Sequence, residues 1–365
     1  MDKTQVFSES SWSSLENLGW DSEWDFLFSP FKGPYVPGRV IAVHKTRYDV
    51  NIPGGIISVP ISGAMKKQKN LPVVGDFVVV LDNQDAATQM IVSILKRRTC
   101  LSRGGAGESA GEQILAANID TAFIVTDPGH DLSIPRLERY LLIVRNSGAE
   151  PVIILNKSDT SEEISTIIDR VHAELRGVPV IALSALNNTG LEQLGPFLTP
   201  GATVIFLGSS GVGKSTLINA LTGASLQKTG GIRENDGKGR HTTTVRHLIP
   251  LDGGSCLIDT PGMREVRIWT AGNTLNEAFD DIIRIAQECR FSDCRHLQEP
   301  GCAVRKAVED GLISQERLER YRKLHKEADF EKEKAEIGLK RLEKKRYRGI
   351  ARMANECRDR NRWQE

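Results

Sequence analysis

The chain has 365 residues, 39% hydrophobic and 26% charged, with 48 Lys and Arg against 47 Asp and Glu. These proportions fit a soluble globular protein of two or three domains, and exclude a mostly disordered chain, a collagen-like repeat and a coiled-coil rod. No apolar run approaches a membrane span, the start MDKTQVFSES lacks the basic-then-apolar order of a secretory signal, and six cysteines are too few for a disulfide scaffold. The expectation is a reduced, cytoplasmic protein with no membrane partner. The near-neutral total hides an acidic head and a basic tail. Residues 1–33 carry two Lys/Arg and six Asp/Glu, whereas residues 312–365 carry 17 against 11.

Residues 1–33 contain Trp12, Trp20 and Trp24 among acids and serines. No clear period is read there, so an acidic extension, disordered or docked through its aromatics, is expected. Residues 34–98 read as five short β-branched strands cut by PG, PGG and PVVGD turns, which predicts a small barrel of the OB type. The basic stretch 65–69 (MKKQK) is placed in a loop that either touches phosphates or is merely solvated. Residues 99–118 read as a glycine-bearing linker. From 119 to 274 the pattern becomes α/β. IDTAFIVTD, EPVIILN, VPVIALS, GATVIFLG and GSCLIDT are continuous apolar strands, which implies a mostly parallel sheet covered on both faces by helices. Residues 275–365 read as a helical, cysteine-bearing and then highly charged domain. Its basic end, KRLEKKRYRGIAR, suits RNA contact, and a solvated helix laced with ion pairs is the plainer alternative.

The strongest motif is Gly208-Ser209-Ser210-Gly211-Val212-Gly213-Lys214-Ser215, followed by Thr216, a full GxxxxGK[ST] between a strand and a helix. Glycines let the backbone N–H groups curl around phosphate oxygens at a helix N-terminus. Lys214 adds a point charge for the β- and γ-phosphates, and Ser215 a hydroxyl for Mg²⁺. Asp259 and Gly262 of the later DTPG supply a second metal or water-positioning group and an N–H for the γ-phosphate. The base is read by Asn156-Lys157-Ser158-Asp159. A carboxylate at Asp159 accepts from guanine N1–H and N2–H together, whereas adenine would strand it. Ser184-Ala185, after the next strand, places an N–H near guanine O6. The base-reading loops precede the phosphate loop, so the sheet must be circularly permuted. The glutamine expected after DxxG is replaced by Met263, which cannot hold water. His241, just before Thr242–Thr244, is the best candidate to orient or deprotonate it. Thr243 is chosen as the second Mg²⁺ ligand.

Cys289, Cys294, His296 and Cys302 lie within 14 residues. Three thiols and an imidazole suit one structural, tetrahedral Zn²⁺. Cys100, Cys256 and Cys357 are isolated and read as inert thiols.

Taken in order, LSRGG…GEQILAANID, NKSD, SAL, GSSGVGKST, GRHTTT, DTPGM and the Cys/His cluster resemble the RsgA (YjeQ/YloQ) family of small-ribosomal-subunit biogenesis GTPases, over roughly residues 36–345. The resemblance implies an OB-type barrel, a circularly permuted P-loop GTPase domain and a zinc domain. It implies that GTP is hydrolysed to GDP, with stimulation by the small subunit and its rRNA, by a monomeric protein. It maps the family's switch histidine onto His241 and the zinc ligands onto the four residues above. A GTP-gated RNA-binding scaffold, in which hydrolysis is incidental, is the competing reading.

Overall fold

The computed structural model describes residues 15–68, 70–83, 88–104, 112–129, 131–223, 246–259, 275–276 and 278–337. His241, Thr243 and Gly262 lie outside them, as do residues 1–14 and the basic stretch 338–365. The chain forms two compact units, Met1–Ser102 with Ile114–Val266, and Arg103–Gln113 with Arg267–Glu365.

In the first unit, strands β1 (Tyr35–Val43), β2 (Tyr48–Ile52) and β3 (Gly55–Val59) form an antiparallel meander, and β4 (Phe77–Leu81) pairs with β1 and with β5 (Met90–Ile94). A parallel bridge between Ile61 and Ile91 joins the two ends of this array. Alternate residues, among them Val40, Val50, Val59, Val78, Val80 and Ile91, fill its interior. The MKKQK stretch is a helix rather than a loop: α2 (Gly63–Gln68) buries Met65 in that interior and leaves Lys66 and Lys67 exposed.

Residues 15–33 are folded, contrary to the disordered option. A 3-10 turn, Glu16–Leu18, leads to α1 (Ser22–Phe28), capped by the Asp21 side chain, which accepts from the N–H groups of Glu23 and Trp24. Trp20, Trp24, Phe28 and Phe31 recur at helical spacing and present one aromatic face. Trp24 is 1% exposed and packs on Phe77, with ring centroids 4.4 Å apart. The Arg98 guanidinium stacks on Trp24 and bonds Asp21 at 2.6 Å, and that hydrogen bond holds the Asp21 carboxyl below its ordinary range. Arg39 is a fully buried cation. It donates to the carbonyls of Leu18, Gly75 and Asn118 and to Thr203 Oγ1, and burial depresses its pKa.

Residues 99–118 also depart from expectation. They contain a strand pair, β6 (Cys100–Gly104) and β7 (Glu112–Ala117), because Leu101, Leu115, Ala116 and Ala117 are buried apolar residues that a linker could not hide.

The α/β part has β8 (Thr121–Thr126), α3 (Ile134–Ser147), β9 (Glu150–Leu155), α4 (Ile164–Glu174), β10 (Val180–Ala182), β11 (Thr203–Gly208), α5 (Lys214–Thr222), β12 (His247–Pro250) and β13 (Cys256–Asp259). The sheet order is β10-β9-β8-β11-β13-β12, parallel except for β12. Every residue of β8 and β11 is buried, as continuous apolar strands require when helices such as α3 and α5 pack on them. Phe123 and Phe206 stack between adjacent strands at 5.2 Å. β12 also pairs with β1 through His247 and Ala42, so β1–β5 extend the same sheet.

In the second unit, helices α6 (Asp280–Ala286), α7 (Ala303–Glu309) and α8 (Gln315–Ile337) surround a small core. Leu318, Tyr321 and Leu324 form the buried stripe of the otherwise charged α8. Arg317 grips Asp281 through Nε at 2.7 Å and Nη2 at 2.9 Å.

Candidate functional site

The loops that follow β9, β10 and β11 leave the same end of the parallel sheet, the edge at which open α/β sheets bind ligands. The turn after β11 is Gly208–Gly213, with α5 starting at Lys214. Gly208, Gly211 and Gly213 adopt φ of +141°, +87° and +93°, which residues with a Cβ rarely reach. Gly213 also meets a steric demand. A Cβ there would run into Asn156 Nδ2. Gly213→Ala should therefore lower GTP affinity about tenfold or more, and nucleotide titration checks it.

Asn156 holds three loops together. It is 2% exposed. Its Nδ2 donates to the Val212 carbonyl at 2.8 Å, and its Oδ1 accepts from the Ala185 N–H at 3.0 Å. The base-reading segments and the phosphate loop are thus tied by one buried amide whose donor and acceptor are both used. Lys157 has the left-handed φ of +61° and sends Nζ to the Gly211 carbonyl at 2.8 Å and to Asp127 Oδ2 at 3.1 Å. Its stem therefore passes beside the phosphate loop. Ser158 and Asp159 sit on a short 3-10 turn, with Asp159 exposed and open to a ligand. Ser184 is buried and pairs with Thr189, which pins the turn that presents Ala185. Lys214 Nζ donates to the carbonyls of Gly208 (2.8 Å) and Ser209. Ser209, Ser210, Ser215 and Thr216 complete the loop and the first turn of α5. Asp259 ends β13, 6% exposed, and β13 lies directly beside β11. The structure therefore brings together Asn156, Lys157, Ser184, Ala185 and the phosphate loop.

Sequence reasoning did not single out Asp127 or Arg136. Asp127 lies in, and Arg136 just after, the polar stretch DPGHDLS that follows β8, the strand adjacent to β11. A polar turn at that strand end was the available signal.

The second unit holds a separate cluster. The ligand atoms of Cys289, Cys294, His296 and Cys302 all lie within 4.8 Å of one another. His296 Nδ1 is 3.6 Å from the sulfur of Cys289 and 3.5 Å from that of Cys302, and those sulfurs are 4.0 Å apart. Tetrahedral coordination with metal–sulfur bonds of about 2.3 Å and metal–nitrogen bonds of about 2.0 Å separates donors by about 3.5–3.8 Å. The cluster can hold a metal ion. His296 reaches it from a φ of +59°. Cys256, by contrast, is buried in β13, which pushes its thiol up to about 11, as an inert core cysteine requires.

The permuted loop order on a mostly parallel sheet, with a phosphate loop and an NKSD turn joined by Asn156, defines a circularly permuted P-loop GTPase. A model of the RsgA GTPase family matches residues 94–269. The chain is 54% identical to the small ribosomal subunit biogenesis GTPase RsgA of Methanosarcina acetivorans, over 91% of this chain and 90% of that protein. It is 40% identical to the protein of the same name from Opitutus terrae, over 92% and 96%. Among solved structures, YjeQ from Thermotoga maritima shares 27% identity, covers 80% of this chain and 98% of that one, and superposes with a TM-score of 0.58. The circularly permuted GTPase YloQ shares 26% identity over 81% and 95%, with a TM-score of 0.56. This chain belongs to the RsgA family. A model of ABC transporters also matches residues 191–349. That stretch carries the phosphate loop but neither Asn156–Asp159 nor Ser184–Ala185. No helix among the described residues is long and apolar enough to cross a membrane.

Proposed function

We propose that this GTPase acts in late maturation of the small ribosomal subunit, in the cytoplasm and as a monomer, binding rRNA and hydrolysing GTP to GDP and phosphate under stimulation by the subunit. The observation that carries the nucleotide part is Asn156, which bonds both the phosphate loop and the Ala185 turn. The ribosomal part is supported by the relatives' name and by the near-complete span of the match.

Asp159 reads guanine N1–H and N2–H, the Ala185 N–H reads O6, and the Lys157 stem covers the ring. Backbone N–H groups from Gly211 to Thr216 cradle the phosphates, with Lys214 on the β- and γ-oxygens and the Gly262 N–H on the γ-phosphate. The hydroxyls of Ser215 and Thr243 and the carboxylate of Asp259 are hard oxygen ligands that would hold Mg²⁺, which would supply positive charge against the phosphates. His241 orients the attacking water or takes its proton, the role that Met263 cannot fill. His241→Ala should slow hydrolysis at least 100-fold while GTP still binds. A variant that loses hydrolysis yet still leaves the subunit and supports maturation would favour the scaffold reading.

The closed pairing of β1–β5, with β1 flanked by β2 and β4 and the bridge from Ile61 to Ile91, supports an OB-type barrel. The donor spacing of the Cys/His cluster supports one structural Zn²⁺. The deciding experiment is the GTPase rate with and without purified small subunits. A marked rise is expected, and a rate unmoved by subunits overturns the ribosomal assignment.

A further inference from the structure

Arg136 lies in the first turn of α3, outside every motif used above. Its Nη1 donates to Ser209 Oγ at 2.6 Å. The same nitrogen bonds Asp131 Oδ1. The Asp131 carboxylate is itself fixed, since the Thr126 hydroxyl at the end of β8 lies 3.1 Å from Asp131 Oδ2 and from the Asp131 carbonyl. Asp127 Oδ1 accepts from the N–H groups of Gly129 and Asp131, while Asp127 Oδ2 holds Lys157. The turn after β8 thus touches the phosphate loop twice, at Ser209 through Arg136 and at Gly211 through Lys157 and Asp127.

Ser209 is gripped from two directions, Lys214 on its carbonyl and Arg136 on its hydroxyl. An ammonium has only three N–H donors. When Lys214 turns some of them to phosphate oxygens, its hold on the loop carbonyls weakens, whereas Arg136 keeps its grip because the guanidinium is locked by Asp131. Both contacts come from one nitrogen, Nη1, whose two N–H groups serve Asp131 and Ser209, so the ion pair with Asp131 fixes the donor that holds Ser209.

We propose that Arg136 is a positioning residue for GTP hydrolysis, holding the leading half of the phosphate loop through Ser209 so that the γ-phosphate stays in line for attack. This rests on the GTPase reading above. Binding energy is spread over the whole loop, the base contacts and the metal, so it barely depends on one tie. The attack geometry does depend on it, since a misplacement of about 1 Å can cost 100-fold in rate.

The test is steady-state hydrolysis by the full-length chain, with GDP affinity measured in parallel. Arg136→Ala should lower kcat and kcat/KM together by about tenfold, with KM and GDP affinity within about threefold of the parent, the pattern of an interaction that counts only in the transition state. Ser209→Ala, which removes only a hydroxyl, should reproduce the loss even if Arg136→Ala folds poorly. The double variant should be no slower than either single one, and Arg136→Lys should recover part of the rate. Additive losses, a rise in KM at constant kcat, or unchanged rates overturn the proposal while leaving the GTPase reading intact. A parent chain that binds GTP but never hydrolyses it overturns the GTPase reading itself.

Discussion

Asp159→Asn should abolish the preference for guanine and replace it with one for xanthine. The carboxylate has only acceptors, and guanine offers two donors side by side, N1–H and the C2 amine. An amide keeps one acceptor but turns an NH₂ group toward the C2 amine, so one hydrogen bond is lost and two donors face each other. Xanthine carries an oxygen at C2, which the amide can satisfy. Losing a charge-assisted pair and stranding the donors costs about 3–4 kcal/mol, or about 100- to 1,000-fold in affinity. Competition titrations with GTP, XTP and ATP read this directly. GTP should weaken by that factor, XTP should become the tighter ligand, and ATP should stay weak. Asp159 is exposed on its short turn, so the substitution leaves the core undisturbed. A variant that binds GTP within about threefold of the parent would remove Asp159 from the base-reading site.

The phosphate loop and the NKSD turn were legible because their chemistry is written in consecutive residues. A loop of N–H groups needs glycines at fixed spacing, and a guanine reader needs a carboxylate just past a strand. The permuted order was legible for the same reason, since it is only the order of such motifs. The ties between them were harder to read. Asn156 meets Val212 across 56 residues, and Arg136 meets Ser209 across 73. Those contacts exist because β8, β9 and β11 are neighbours in the sheet, which local pattern does not state. The aromatic face of Trp20, Trp24, Phe28 and Phe31 is half legible: docking through the aromatics is expected, the helix is not. Its spacing of four, four and three residues is helical, but serines and acids between the rings mask the period. Arg39 is the opposite case. An arginine in an apolar strand looks like an outward-facing residue, and only the surrounding carbonyls of Leu18, Gly75 and Asn118 make its burial tolerable.

Stripping the proposed zinc should unfold the second unit and leave nucleotide binding in place. The reasoning starts from core size. The buried apolar residues there include Phe279, Ile282, Val304, Ala307, Ile313, Leu318, Tyr321 and Leu324, a set too small to hold a domain without a staple. Structural zinc supplies about 10–16 kcal/mol in small domains, more than most domains' entire stability. Cys302 has a second duty, because its sulfur accepts the Arg305 N–H at 3.4 Å and caps α7. Cys302→Ser keeps a capping oxygen but loses the soft ligand, so it isolates the metal's share. The variant should purify without stoichiometric zinc, lose helical circular dichroism from α6–α8, and bind GTP within about threefold of the parent, since every residue proposed to contact base or phosphate belongs to the first unit. A strong chelator should do the same to the parent chain, and added Zn²⁺ should restore the signal. A purified parent free of zinc, or one whose helicity ignores the chelator, would show that Cys289, Cys294, His296 and Cys302 converge for packing alone.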